Sequence, residues 1–131
     1  PDGLVVPVVK NADQKSLLEI SVEIQNLAEA ARNKKLPGEA FKGGTFTITS
    51  IGSIGGMVAM PIINYPEVAI LCINKIMQKP IVENGNIVIR DMLNLSMSID
   101  HRIIDGATAA RFMNELISYL NEPGKIMLEM R

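Results

Sequence analysis

The run Asn94-Leu95-Ser96-Met97-Ser98-Ile99 leads without a break into Asp100-His101-Arg102-Ile103-Ile104-Asp105-Gly106. Its first six residues alternate polar and apolar, which predicts a strand with Asn94, Ser96 and Ser98 on one face. A helix is expected next, from about Ala107 to Leu120, closed by Asn121-Glu122-Pro123-Gly124. Asp105 stands where that helix needs an N-cap. The junction carries the only histidine of the chain, His101, with Asp100 beside it and Asp105 four residues on. A strand-to-helix junction presents a side chain rigidly, and histidine is the residue whose ordinary titration range suits proton transfer near neutral pH. The same spacing equally describes a loop histidine held in place by one of the two aspartates.

Working backward, Ile81-Val82 and Ile87-Val88-Ile89 flank Asn84-Gly85, a strong hairpin signal. Val68 to Ile73 is a continuous apolar run, as in a strand covered on both faces. Thr45-Phe46-Thr47-Ile48-Thr49 is β-branched and alternating, opened by Gly43-Gly44, and reads as another strand. Ser50 to Gly56 is a small-residue loop whose spacing matches neither a phosphate cradle nor a nucleophile elbow. Ser16 and Glu19 have the spacing of a capping box, and Leu17, Ile20, Ile24, Leu27 and Ala31 follow one helical face. Arg32, Lys34 and Lys35 suit the C-terminal end of that helix, which Pro37-Gly38 should stop. At the start, Pro1-Asp2-Gly3 is turn chemistry and Leu4 to Val9 reads as a buried strand. A turn with nothing before it suggests a chain that begins inside a larger domain. The expected result is one α/β unit with a mixed sheet.

Composition narrows the classes. With 131 residues, 47% of them apolar and 21% charged, the chain can bury a core. Thirteen basic residues offset fourteen acidic ones, with no basic run beyond Lys34-Lys35, so no footprint for nucleic acid or an anionic membrane is expected. The longest apolar stretch is far short of the roughly 20 residues that span a bilayer. One cysteine excludes a disulfide within the chain and suits a reducing compartment, the cytoplasm of a prokaryote or the mitochondrial matrix of a eukaryote. One Cys and one His leave a structural zinc site implausible, so no metal is expected. Cys72, inside the apolar run, reads as a small buried hydrophobe.

The segment Asp100 to Gly106 resembles the D-H-R-x-x-D-G signature of the dihydrolipoamide acyltransferase catalytic domain, the core component of 2-oxo acid dehydrogenase complexes. Gly3-Leu4-Val5-Val6-Pro7-Val8 is similar to the family's G-L-V-V-P-V, and Gly43-Gly44-Thr45-Phe46-Thr47-Ile48 to its G-G-T-F-T-I/L strand. Ser16-Leu17-Leu18-Glu19-Ile20, Pro66-Glu67-Val68-Ala69-Ile70 and Asp105-Gly106-Ala107-Thr108 also fit, in the family's order and across nearly the whole chain. The resemblance implies a chloramphenicol acetyltransferase-like two-layer sandwich with a mixed sheet, truncated at the front. Residues 1–131 would form the C-terminal portion of one catalytic domain, with the front portion and the lipoyl and subunit-binding domains upstream.

It also implies a reaction. His101 would take the proton from a thiol of coenzyme A or dihydrolipoamide, and the thiolate would attack an acyl thioester. The family's oxyanion donor, a serine, falls on Thr49. Threonine keeps the hydroxyl but restricts χ1, so Ser50 stays as the alternative donor and Thr49 can also be an ordinary strand threonine. Asp105 matches the signature Asp and is expected to hold the loop and cap the helix, with Arg102 as an ion-pair partner. By the same carry-over Ser50, Asn74 and Ile76 line the coenzyme A channel. Coenzyme A and the lipoyl group would be substrates, and no metal is implied. Partners would be further copies of the chain, as trimers assembling into a hollow core with sites between subunits, a lipoyl domain, and the 2-oxo acid dehydrogenase and dihydrolipoamide dehydrogenase components. Gly52-Ser53-Ile54-Gly55-Gly56 with Pro66 to Ile70 looks closer to branched-chain acyltransferases than to acetyltransferases. The apolar tail Ile126 to Met130 would dock into a neighbouring trimer or fold back on its own subunit.

Two other readings stay open at this stage. Chloramphenicol acetyltransferase shares the fold and a similar histidine motif, but has a second histidine where this chain has Asp100. A non-catalytic core subunit is the other, although such subunits tend to lack the histidine.

Overall fold

The structure, a computed structural model, describes residues 3–129. Two compact units are distinguished, one spanning Thr45–Asp105 and the other made of the chain before and after it.

The first unit is a three-stranded mixed sheet in the order β1-β2-β3, with β1 Thr47–Ser50, β2 Ala69–Glu83 and β3 Asn86–Ile99. β1 runs parallel to β2, and β3 returns antiparallel through a two-residue turn at Asn84-Gly85. Both turn residues have positive φ, 50° and 79°, the geometry that matches the twist of paired strands and that Asn-Gly supplies at little cost. β2 and β3 are longer than the sequence pattern suggested, because one ladder, interrupted by a single bulge, joins the apolar run to the hairpin. Pro80 sits beyond the reach of β1, where β2 keeps one free edge that tolerates a residue without an N–H.

The register sorts the side chains. Thr47, Thr49, Ile70, Cys72, Ser96 and Ser98 share one face; Ile48, Ser50, Leu71, Ile73, Leu95 and Met97 share the other. Ala69, Ile70, Leu71 and Cys72 are the buried apolar core, as the continuous run predicts, and Thr47 and Asn74 are buried with them. A bulge interrupts the ladder between Ile73 and Ile76, where Asn74 and Lys75 stand opposite Asn94 alone.

The second unit holds α1 Leu17–Arg32, α2 Gly106–Asn121 and α3 Pro123–Glu129. The capping box of α1 is present: Ser16 N–H donates to Glu19 Oε2 at 2.8 Å, and Glu19 N–H donates to Ser16 Oγ at 3.3 Å. Its other end closes earlier than Pro37. Lys35 N–H bonds Ala30 O and Lys34 N–H bonds Ala31 O, with Lys34 at φ 55°, so a left-handed closure ends the helix.

Two expectations are corrected. Leu4 to Val9 form no strand: Leu4 is 91% exposed, and the segment is tied by Val8 N–H to Ala40 O. No described strand lies alongside to pair with it, and Pro7 lacks a donor. The second helix does end at Asn121, ahead of Pro123-Gly124, but the tail beyond it is not a frayed terminus: Pro123 opens α3, the first-turn position proline favours. The Pro1-Asp2 turn and Met130 of the tail lie outside the described residues.

Candidate active site

β3 ends at Ile99, and the chain folds at once into a tight turn. Asp100 N–H donates to Val68 O at 2.8 Å, while Asp100 O accepts from Ile103 N–H and Ile104 N–H at 3.0 and 2.9 Å. The Asp100 carboxylate accepts from Arg102 Nε at 2.9 Å, from an Arg102 terminal nitrogen at 2.6 Å and from Arg102 N–H at 3.0 Å. This two-pronged pair is the strong form of a carboxylate–guanidinium contact. The side-chain hydrogen bonds from Arg102, then its backbone N–H, pull the Asp100 carboxyl down from 3.8 to about 2.

Asp100 is therefore spent on Arg102, as the ion-pair reading of Arg102 expects. His101 stands exposed on the turn between them, with no hydrogen-bond partner among the described residues. Asp105 directly precedes α2, the position from which a helix is capped.

Thr49 and Ser50 adjoin in β1 but point to opposite faces. Thr49 pairs with Cys72 and shares its row with Ser96; Ser50 pairs with Ile73 beside Leu95. Ser50 and Ile76 share the second face, Ile76 pairing with Leu93, and both are exposed. Asn74 lies on the first face, 1% exposed, and its amide donates to Asn94 O at 3.0 Å and Ser96 Oγ at 3.1 Å. Cys72, equally buried, makes a weak 3.8 Å contact to Asn74 Oδ1.

Thr49 and His101 do not meet within the chain. β1 and β3 are the outer strands, two inter-strand steps or about 10 Å apart. Ile99 lies three residues along from the Thr49 row, about another 10 Å, and His101 lies beyond it. A hydrogen bond needs under about 3.5 Å.

The alternation of Asn94, Ser96 and Ser98 is legible in sequence, but not the network it joins. Asn94 Nδ2 also donates to Met57 O at 3.1 Å, which ties β3 to the segment after β1. Ile51 N–H bonds Ile73 O at 3.1 Å and Lys75 N–H bonds Gly56 O at 2.7 Å, and a Cβ at Gly52 would stand 2.8 Å from Asn74 O. Among the described residues no cluster of three His, Cys, Asp or Glu could hold a metal ion, and no helix is long and apolar enough to cross a membrane.

The family profile for the 2-oxoacid dehydrogenases acyltransferase catalytic domain matches residues 1–128. The dihydrolipoyllysine-residue acetyltransferase component of the pyruvate dehydrogenase complex from Staphylococcus epidermidis is 55% identical over 127 residues, 97% of this chain. The chain spans 29% of that relative's length. Among solved structures, Azotobacter vinelandii dihydrolipoamide acetyltransferase has a TM-score of 0.93 at 49% identity, covering 97% of this chain and 52% of that one. That enzyme was studied for the role of a serine, a histidine and an asparagine in its catalytic mechanism; the serine lies 52 residues before the histidine and the asparagine four after it. The cubic core of the pyruvate dehydrogenase multienzyme complex has the same TM-score at 50% identity, with 97% of this chain and 52% of that one covered.

These relatives are acetyltransferase components and lend no support to the branched-chain expectation. Two glycines of the segments on which it rested, residues 52–56 and 66–70, answer to the backbone: Gly52 sits against Asn74 O, and Gly55 has φ 99°. Neither reports the length of an acyl chain.

Proposed function

The chain belongs to the catalytic-domain family of the 2-oxoacid dehydrogenase acyltransferases, and on that premise we propose that it carries the acid–base end of a dihydrolipoamide acetyltransferase site. The reaction moves an acetyl group between the thiols of dihydrolipoamide and coenzyme A. His101 takes the proton from the attacking thiol, the thiolate adds to the thioester carbonyl, and the tetrahedral oxyanion collapses with the proton returned to the departing thiolate. General-base catalysis of this kind contributes about 10² to 10⁴-fold.

One observation carries this reading. The intervals among the serine, histidine and asparagine of the Azotobacter enzyme are those separating Thr49, His101 and Asp105 here. Two of the three residues differ, Thr for Ser and Asp for Asn. Thr49 keeps a hydroxyl donor for the oxyanion, and Asp105 keeps an acceptor ahead of α2. The turn geometry fits the base role, because Arg102 occupies Asp100 and leaves the His101 imidazole open to a thiol.

The separation of Thr49 from His101 supports a site completed by a second copy, within trimers that build a larger core. Ser50 and Ile76, exposed on one face, suit contact with coenzyme A. Asn74 would act there only through the strands it holds, because its amide hydrogens are used internally. A lipoyl domain would deliver the acetyl group from the dehydrogenase component, and dihydrolipoamide dehydrogenase would reoxidise the lipoyl group. Buried, unpaired Cys72 suits a reducing compartment such as a bacterial cytoplasm.

The test is acetyl exchange between acetyl-coenzyme A and dihydrolipoamide in the whole protein that carries this chain. His101→Ala should abolish exchange with the assembly intact. Exchange within tenfold of wild type would overturn the general-base role.

A further inference from the structure

We propose that Asn94 is a positioning residue of the acyl-transfer site: its amide clamps the strap of residues 51–57, which continues from Thr49-Ser50, and so fixes where the Thr49 hydroxyl stands. The inference rests on the acyl-transfer reading above. Asn94 faces the same side of the sheet as Thr49, Cys72 and Ser96. It works in two directions at the bulge. Its side-chain amide donates to Met57 O at 3.1 Å, and its backbone carbonyl accepts from buried Asn74 at 3.0 Å. Among the described residues the strap is otherwise pinned to β2, by Ile51 N–H to Ile73 O, by Lys75 N–H to Gly56 O, and by the close approach of Gly52 to Asn74 O. These contacts lie along the edge that β1 vacates after Ser50. Asn94 reaches across β2 from the far strand to hold the strap's exit. Without it, the strap hinges about the bulge: β1 is only four residues long, its start is tied by Thr47 Oγ1–H to Glu67 Oε2 at 2.6 Å, and its Ser50 end, next to Thr49, depends on its short ladder and on the strap.

A group that acts through Thr49 is distinguished from one that merely stabilises the fold by a double-mutant cycle, because coupled residues are non-additive. Asn94→Asp has the same shape but presents an acceptor to Met57 O, while its backbone carbonyl still receives Asn74. The expected result is a kcat for acetyl exchange about tenfold lower, with KM for coenzyme A within about twofold and the melting temperature little changed. Asn94→Gln, which keeps the donor, should recover part of the loss. In a Thr49→Val background, Asn94→Asp should add little. Additive losses, or wild-type kcat in Asn94→Asp, with His101→Ala inactive, overturn the positioning role and leave the acyl-transfer reading standing. An active His101→Ala variant overturns both.

Discussion

Asp100 and His101 are neighbours with opposite fates, and the difference lies in what each side chain has to bond. Arg102 folds back onto Asp100 through two nitrogens and a backbone N–H, so this carboxylate organises the turn and is not available to orient the imidazole. A carboxyl lowered from 3.8 to about 2 contributes stability that is present above pH 3.8 and lost as pH falls through about 2. The Asp100–Arg102 pair should thus be fully formed at pH 5 and above. Carbon-13 NMR of Asp100 should show a midpoint near 2 that rises toward 3.8 in Arg102→Gln; an unchanged midpoint would mean that Arg102 is not the cause. For the oxyanion donor, the two faces of β1 matter. Thr49→Val should lower turnover by about 10²-fold or more, and Ser50→Ala should cost less, since Ser50 points the other way. Steady-state acetyl exchange gives the order, and a reversal would make Ser50 the donor.

Elements here are set by local chemistry at their ends and by tertiary contact along their length. α1 begins at Ser16 because the serine and Glu19 satisfy each other's backbone N–H. Ser16→Ala should cost about 1 kcal/mol in urea unfolding; a loss below 0.3 kcal/mol would show that the box is redundant. The strap depends on absence of a side chain. Gly52→Ala places a Cβ 2.8 Å from Asn74 O, a backbone atom that cannot swing aside. It should destabilise by about 1 to 3 kcal/mol and reduce acetyl exchange with it, whereas Gly3→Ala, with nothing nearby, should be neutral in both.

At the scale of the molecule, the fully buried core is small, and apolar faces are left open. No described residue of α1, α2 or α3 is fully buried, and Val82, Ile87 and Ile89 of the hairpin are exposed. Such faces call for cover by more protein, which the proposed core would provide. α3 is held against α2 by Tyr119 Oη–H to Glu129 Oε2 at 2.6 Å and Lys125 Nζ to Ser118 Oγ at 3.0 Å. Ile126 joins Leu17, Ile20 and Leu116 in lining a groove of about 480 Å³, while Met127 and Leu128 stay 76% and 87% exposed. The tail thus turns one residue inward on its own subunit and leaves two outward. Replacing Met127 and Leu128 by Ser should convert large particles into trimers in sedimentation velocity, with helix content unchanged. Undiminished particles would place the inter-trimer contact elsewhere.

The sequence by itself determined what depends on near neighbours: the capping box at Ser16, the Asn84-Gly85 turn, the apolar core run, the helix after Asp105 and the family signature around His101. Each is settled by bonds or periodicities spanning a few residues. It misread Leu4 to Val9 as a strand because a strand exists only where a partner supplies its hydrogen bonds, and no run of Val and Leu can specify that partner. Nor could it show why residue 52 is a glycine, since Asn74 O, distant in sequence, is what demands it. The tertiary structure alone decided that Thr49 and Ser50 face opposite ways, that a bulge buries Asn74 against Asn94 and Ser96, and that Thr49 and His101 stand apart. Register and bulge are properties of pairs of strands; a one-residue slip would have reversed every one of those assignments.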